Sequence, residues 1–242
     1  MGIFRPIKIR SKNLRDSVMS RLLIRNYLSK NEKKQRKIIL GGHWSDNPDW
    51  LILNQFQQDI TKKLKFPTNS VNVVFLEHVI EHIDLEDAIL FFKEVRRILI
   101  KGGQLRLVFP STEKIIKANL SKSIKNNKNY IKNILINLHY SKINSQLMSI
   151  GLKGISEDVN TFFLNSIFGE NDHKFITSAM LLKKILLSIG FSKVEIFEPG
   201  QGFAKENCIE RRQRGIYLGS DWKKDQKKPT FDIESLAVDA VK

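Results

Sequence analysis

One cysteine, Cys208, stands in 242 residues, which excludes an internal disulfide and leaves no second thiol for a metal cage. No stretch approaches the roughly 18 consecutive apolar residues of a membrane span, and the first residues lack the apolar run that opens a secretory signal. Pro6 stands where a myristoylation signal after Gly2 needs serine or threonine. These absences point to a cytoplasmic protein with no membrane span. Acidic residues are also few, 25 against 41 lysines and arginines, for a net charge of +16.

A positive field of that size attracts polyanions. Residues 1–36 carry eleven basic residues against Asp16 and Glu32. Elsewhere the excess is mostly lysine in a background rich in isoleucine and asparagine, the composition of a solvated basic face. Nucleic acid is thus an allowed partner and not the favoured one.

The length suits one large α/β domain with a substantial core. A basic leader, residues 1–36, places Leu14, Val18, Leu22, Leu23 and Tyr27 at helical spacing over about 12–29, an amphipathic helix that packs against the sheet. The α/β domain then spans 37–242. Ile38-Ile39-Leu40 reads as a buried strand entering the Gly41-Gly42 turn, and Trp50–Leu53 and Val71–Leu76 as two more strands. Asp84 is placed as the N-cap of a helix with apolar positions at Leu85, Ala88, Ile89, Phe92, Val95 and Leu99, stopped by Gly102-Gly103. Gln104–Phe109 forms a strand. Residues of about 113–165, with no glycine between Gly103 and Gly151, read as a helical insertion. A helix from near Thr177 to Gly190, a strand at Val194–Phe197 and a last strand at Leu236–Val241 complete a Rossmann-like, mostly parallel sheet with helices on both faces.

Four segments carry a family resemblance. They are Leu40-Gly41-Gly42-His43 with Asn47-Pro48-Asp49-Trp50 and Asn54; Asp59-Ile60 through Phe66-Pro67; Asn69 through Glu77-His78-Val79-Ile80-Glu81-His82 and on to Lys101-Gly102-Gly103; and His173-Lys174 to Gly190-Phe191, closed by Ser235–Ala240. In this order they resemble the class I S-adenosylmethionine-dependent methyltransferases, particularly small ones often found beside surface-polysaccharide genes. The resemblance implies S-adenosylmethionine as cofactor and an acceptor that is a glycan or small metabolite. It implies a cofactor site of Gly41, Gly42, His43, Asn54, Asp59, Ile60, Leu76 and Glu77. Gly41 and Gly42 would let the backbone approach the ligand, Asn54 would meet the ribose hydroxyls, and Asp59 would lie beside the adenine. The insertion would cap the acceptor.

The chain departs from the family's pattern at His43, which replaces a glycine, and in the short interval from Gly41 to Asn54. From Asn54 to Asp59 there is no room for a helix and a strand. The sheet is therefore expected to be shortened at its second and third strands. For a hydroxyl acceptor the acid–base candidates are His78, His82 and His173, because imidazole titrates near neutrality. Two rival readings remain. His78-Val79-Ile80-Glu81-His82 spells the His-x-x-Glu-His zinc-hydrolase pattern, which needs both histidines on one helix face. A descendant of the fold without catalysis would instead hold a polyanion through its lysines. The favoured assignment contains no metal.

Overall fold

The computed structural model describes residues 19–42, 48–114, 145–154, 174–210 and 235–242. Six strands form one sheet in the order β2-β1-β3-β4-β6-β5: β1 Lys37–Leu40, β2 Trp50–Leu53, β3 Val71–Glu77, β4 Leu99–Pro110, β5 Lys193–Phe197 and β6 Ser235–Val241. The first four in that order are mutually parallel, and β6 runs antiparallel between β4 and β5. This is the expected Rossmann-like, mostly parallel sheet. It is shortened where the sequence predicts: residues 54–70 contain turns and no strand, which leaves β2 at the edge.

Alternation along the strands sorts the core into two faces. Ile38 and Leu40, Val74 and Leu76, Leu105 and Leu107 with Phe109, and Val238 with Ala240 point to one side. Against them pack Ile24 of α1 (residues 19–30), the apolar stripe of α2 (Leu85–Ile98) and that of α3 (Ala179–Ile189). Each such side chain removed from water contributes roughly 1.5–3 kcal/mol. The leader helix is thus part of the core as far as it is described. Tyr27 ties it down, its hydroxyl donating to the Lys37 carbonyl at 2.9 Å.

Ile39, Trp50, Val73, Phe75, Val108 and Ala237 point to the other side. Among the described residues, what packs there is Ile52 of β2, Phe197 at the end of β5, and Ile209 of the connection from β5 to β6. Asn207 in that connection accepts from Lys37 Nζ at 3.1 Å on β1 and donates to Gln104 Oε1 at 2.9 Å on β4. A single segment therefore reaches across the sheet from β5 to β1. Its position complements the link between parallel β1 and β2, which is residues 41–49 alone, whereas a crossover helix with its turns takes about 10–12 residues or more.

Two sequence expectations are corrected. α2 ends at Ile98, and Leu99 opens β4, so Gly102-Gly103 lies within a strand and does not stop the helix. The pairing of β3 with β4 slips between Val71↔Leu99 and Val73↔Gln104. The glycines absorb that bulge: Gly102 has φ +78°, and a Cβ on Gly103 would lie 2.9 Å from the Asn72 carbonyl oxygen. Asp84 does occupy the N-cap of α2, but its side chain makes no capping bond. α3 is capped in the ordinary way. Ser178 accepts from Leu181 N, Glu113 accepts from the N–H groups of Ala179 and Met180, and Gly190 closes the helix at φ +101°. Most of the expected insertion, residues 115–144 and 155–165, lies outside the described residues.

Candidate active site

From β1 the chain passes to β2 on one side and later to β3 on the other, so the order of strands reverses between β1 and β3. Open parallel sheets bind ligands at such a point, beyond the carboxyl ends of the strands. Gly41 occupies it. Its N–H donates to the Leu53 carbonyl at 2.9 Å, its φ is +76°, and a Cβ there would sit 2.4 Å from Val79 Cγ2. Glycine is required because the turn is pressed between the ends of β2 and β3. A Cβ on Gly42 would meet Ile39 Cγ2 at 2.8 Å.

Asn54 follows β2, but its Oδ1 accepts from the N–H groups of Phe56 and Gln57 at 3.0 and 3.1 Å. The carbonyl oxygen expected to serve a ribose is thus engaged in a turn, and the amide nitrogen is what remains to donate. Asp59 is exposed. Its Oδ1 accepts from the backbone N–H and hydroxyl of Thr61, and Oδ2 has no hydrogen bond among the described residues. Ile60 and Leu76 are buried, and Glu77 is half-buried. The groups present fit a cofactor with a sulfonium, an ammonium and ribose hydroxyls: the Asp59 Oδ2 acceptor, the Asn54 amide donor and a glycine turn. His43 and His173 lie outside the described residues.

His78 leaves β3 in left-handed backbone, φ +51°. Such a conformation is uncommon outside glycine, though histidine is among the residues enriched in it. Its N–H donates to the Val108 carbonyl at 2.8 Å, Nε2 lies 2.9 Å from Ser235 Oγ, and Nδ1 lies 3.0 Å from Glu81 Oε1. The approach to Glu81 is at ion-pair distance but off the line of a good hydrogen bond, and neither buried carboxylate oxygen has a hydrogen-bond partner. Burial alone would raise the Glu81 carboxyl. The contact with His78 and the charges of His78 and His82 outweigh it and hold the group below its ordinary range. His82 itself is exposed. The zinc reading loses its basis, because only Ile80–His82 form a single 3-10 turn and the two histidines share no helix face. Among the described residues no group of three side chains is placed to hold a metal.

The sequence reading missed Ser235, which lies more than 150 positions from its partner, and a second buried cluster under the other face. Arg106 on β4 pairs in register with Asp239 on β6. Its Nη1 donates to Asp239 Oδ1 at 2.7 Å, Nε to Glu210 Oε1 at 2.6 Å, and Nη2 to the Gln201 carbonyl at 3.0 Å. Asp239 Oδ2 accepts from Phe203 N, and Gly202 leaves no room for a Cβ, which would be 2.5 Å from Arg106 Nη1. Burial would depress the guanidinium, but the two carboxylates hold it above its usual value. Burial, opposed only in part by Arg106, raises the Glu210 carboxyl. One cation is shared by two anions. A signal existed: single opposite charges interrupt Gln104-Leu-Arg-Leu-Val-Phe and Leu236-Ala-Val-Asp-Ala-Val.

Strand order, reversal point and glycine turn together define a sheet of Rossmann-like type. Residues 30–107 match the family model described as a methyltransferase domain. Among solved structures the chain is similar to an S-adenosylmethionine-dependent methyltransferase from Archaeoglobus fulgidus, at 15% identity over 93% of this chain and 94% of that one, TM-score 0.41. It is also similar to phosphoethanolamine N-methyltransferase 2 of Haemonchus contortus, at 14% identity over 92% of this chain and 52% of that one, TM-score 0.40. No curated protein sequence matches. No helix among the described residues is long and apolar enough to cross a membrane.

Proposed function

We propose that the chain methylates a small-molecule or glycan acceptor bound at the carboxyl edge of the sheet, beside β3 and β4. The glycine turn at the reversal point, pressed between the ends of β2 and β3, carries this reading. Bound S-adenosylmethionine supplies a methyl group activated by its sulfonium. Gly41 and Gly42 offer backbone to the ligand, with His43 next in sequence. Asn54 donates to a ribose oxygen, Asp59 accepts through Oδ2, Ile60 and Leu76 give apolar contact, and Glu77 adds negative charge complementary to a cation. Methyl transfer is an in-line displacement, so the protein's work is orientation, exclusion of water and removal of an acceptor proton. The His78 ring is held by partners at that edge.

Calorimetry with S-adenosylmethionine and S-adenosylhomocysteine tests the site. Binding near 1 μM, about 8 kcal/mol, is expected, with Asp59→Ala weakening it about tenfold. Absence of heat from either ligand, together with salt-sensitive binding to nucleic acid, would favour the polyanion-holding reading instead.

A further inference from the structure

We infer that Ser235, His78 and Glu81 form a proton relay on the acceptor side of the site, with Ser235 Oγ the atom that meets the acceptor, and that the acceptor presents a hydroxyl. This rests on the methyltransferase reading. Nε2 of His78 is hydrogen-bonded with Ser235 Oγ at 2.9 Å, and Nδ1 faces Glu81 Oε1 at an ion-pair distance of 3.0 Å, which blocks it from an acceptor. An acceptor proton therefore cannot pass to the ring without first passing through the serine. Ser235 opens antiparallel β6 opposite Pro110, which puts its hydroxyl at the edge where parallel β3 and β4 end. Ser235 and Glu81 are each 1% exposed. The residues that follow β4 add Ser111 and Thr112, with Thr177 bridged to Ser111, all buried. The backbone at His78 is held in its left-handed conformation by the bond to Val108, a local strain of the kind that collects at working sites.

The three groups can move one proton without rearrangement. As the acceptor oxygen bonds to the methyl carbon, the carbon–sulfur bond breaks and its electron pair stays on sulfur, giving a neutral thioether. The hydroxyl proton goes to Ser235 Oγ, the serine's own proton goes to His78 Nε2, and the Glu81 carboxylate faces the imidazolium so formed. Solvent later takes the proton. A neutral amine needs no base to attack a sulfonium methyl group, whereas an un-ionised alcohol does. The expense of burying a carboxylate behind the ring is explained by a hydroxyl acceptor.

The test uses the full chain, labelled S-adenosylmethionine and three probe acceptors: an un-ionised alcohol (methyl glucoside), an already ionised nitrophenolate, and benzylamine. Label is expected in the oxygen probes. Ser235→Ala should lower kcat on the alcohol about 100-fold and on the nitrophenolate less than about threefold, with the cofactor KM unchanged, while Ser235→Thr keeps the hydroxyl and most of the rate. Equal loss on both oxygen probes would make Ser235 merely structural, and label confined to benzylamine would remove the hydroxyl class; either overturns the relay. An arm that needs no acceptor follows the His78 ring nitrogens by NMR in the S-adenosylhomocysteine complex. Nε2 should shift in Ser235→Ala and Nδ1 in Glu81→Gln, and unmoved resonances would overturn the proposal. Calorimetry on the same proteins separates the two readings. Cofactor binding without these effects sinks the relay alone, and no binding sinks methyl transfer with it.

Discussion

The two faces of the sheet are held by different physics. On one, α1, α2 and α3 lay aliphatic and phenyl side chains over Ile38, Leu40, Val74, Leu76 and Leu107, a contact that is non-directional and grows with area. On the other, the described cover is a loop with one 3-10 turn, anchored by Arg106 between Asp239 and Glu210 and by the Lys37–Asn207–Gln104 chain. A helix brings its own backbone hydrogen bonds. A loop does not, and the second face supplies them: Gln201 O and Phe203 N both end on the ion cluster. Where a short β1–β2 link leaves no room for a crossover helix, buried charge fixes in place a segment that hydrophobic area alone would leave adjustable.

The largest effect should come from the charged face. Arg106→Met leaves two carboxylates buried without their cation and should cost about 3–5 kcal/mol in urea unfolding. The triple variant Arg106→Met, Asp239→Leu, Glu210→Leu should return close to the parent, since an apolar cluster can replace a buried ion pair. A single-variant loss below about 1 kcal/mol would mean that the loop is held by packing, as the helical face is.

On the helical face Leu182→Ala should cost about 2–4 kcal/mol, the transfer of a buried side chain plus the cavity it leaves. No charge-compensating partner should rescue it, which separates the two mechanisms. The smallest effect lies at the rim. Glu94 accepts from Arg97 and from the Leu64 N–H, and the Arg97 bond holds its carboxyl below the usual range. A carboxyl whose folded value is lowered stabilises the protein above its unfolded value, and the contribution is lost as pH falls through the folded one. Glu94→Gln should therefore cost under about 1 kcal/mol near neutrality and nothing at acid pH. An unfolding difference that persisted unchanged into acid would assign the effect to the Leu64 contact.

The helical face was legible in the sequence because helical and strand periods are local: Leu181, Leu182, Ile185 and Leu186 announce their stripe within six positions. α2 was misread only at its end, where Leu99 continues the helical spacing but belongs to β4. The charged face left only a trace, one charge in each of two apolar runs, and its pairing was not legible. Arg106 meets Glu210 and Asp239 from more than 100 positions away, and no local pattern encodes such a pairing. The same holds for the site. Gly41, Asp59 and His78 stand in motifs, while Ser235 stood just before the expected strand with no role given to it, and the Asn54 oxygen was lost to a turn that spacing does not reveal.

The antiparallel strand has a consequence for how the chain comes together during synthesis. β6 is later in sequence than β5, yet it lies between β5 and β4 and is the strand β5 pairs with. As the chain leaves the ribosome, β1 to β4 can zip up in turn, while β5 must wait, edge unsatisfied, until residues through Val241 have emerged. A chain interrupted before Ser235 would thus forfeit two strands and the Asp239 anchor together, and would expose the Leu107 edge of β4 to whatever strand arrived first.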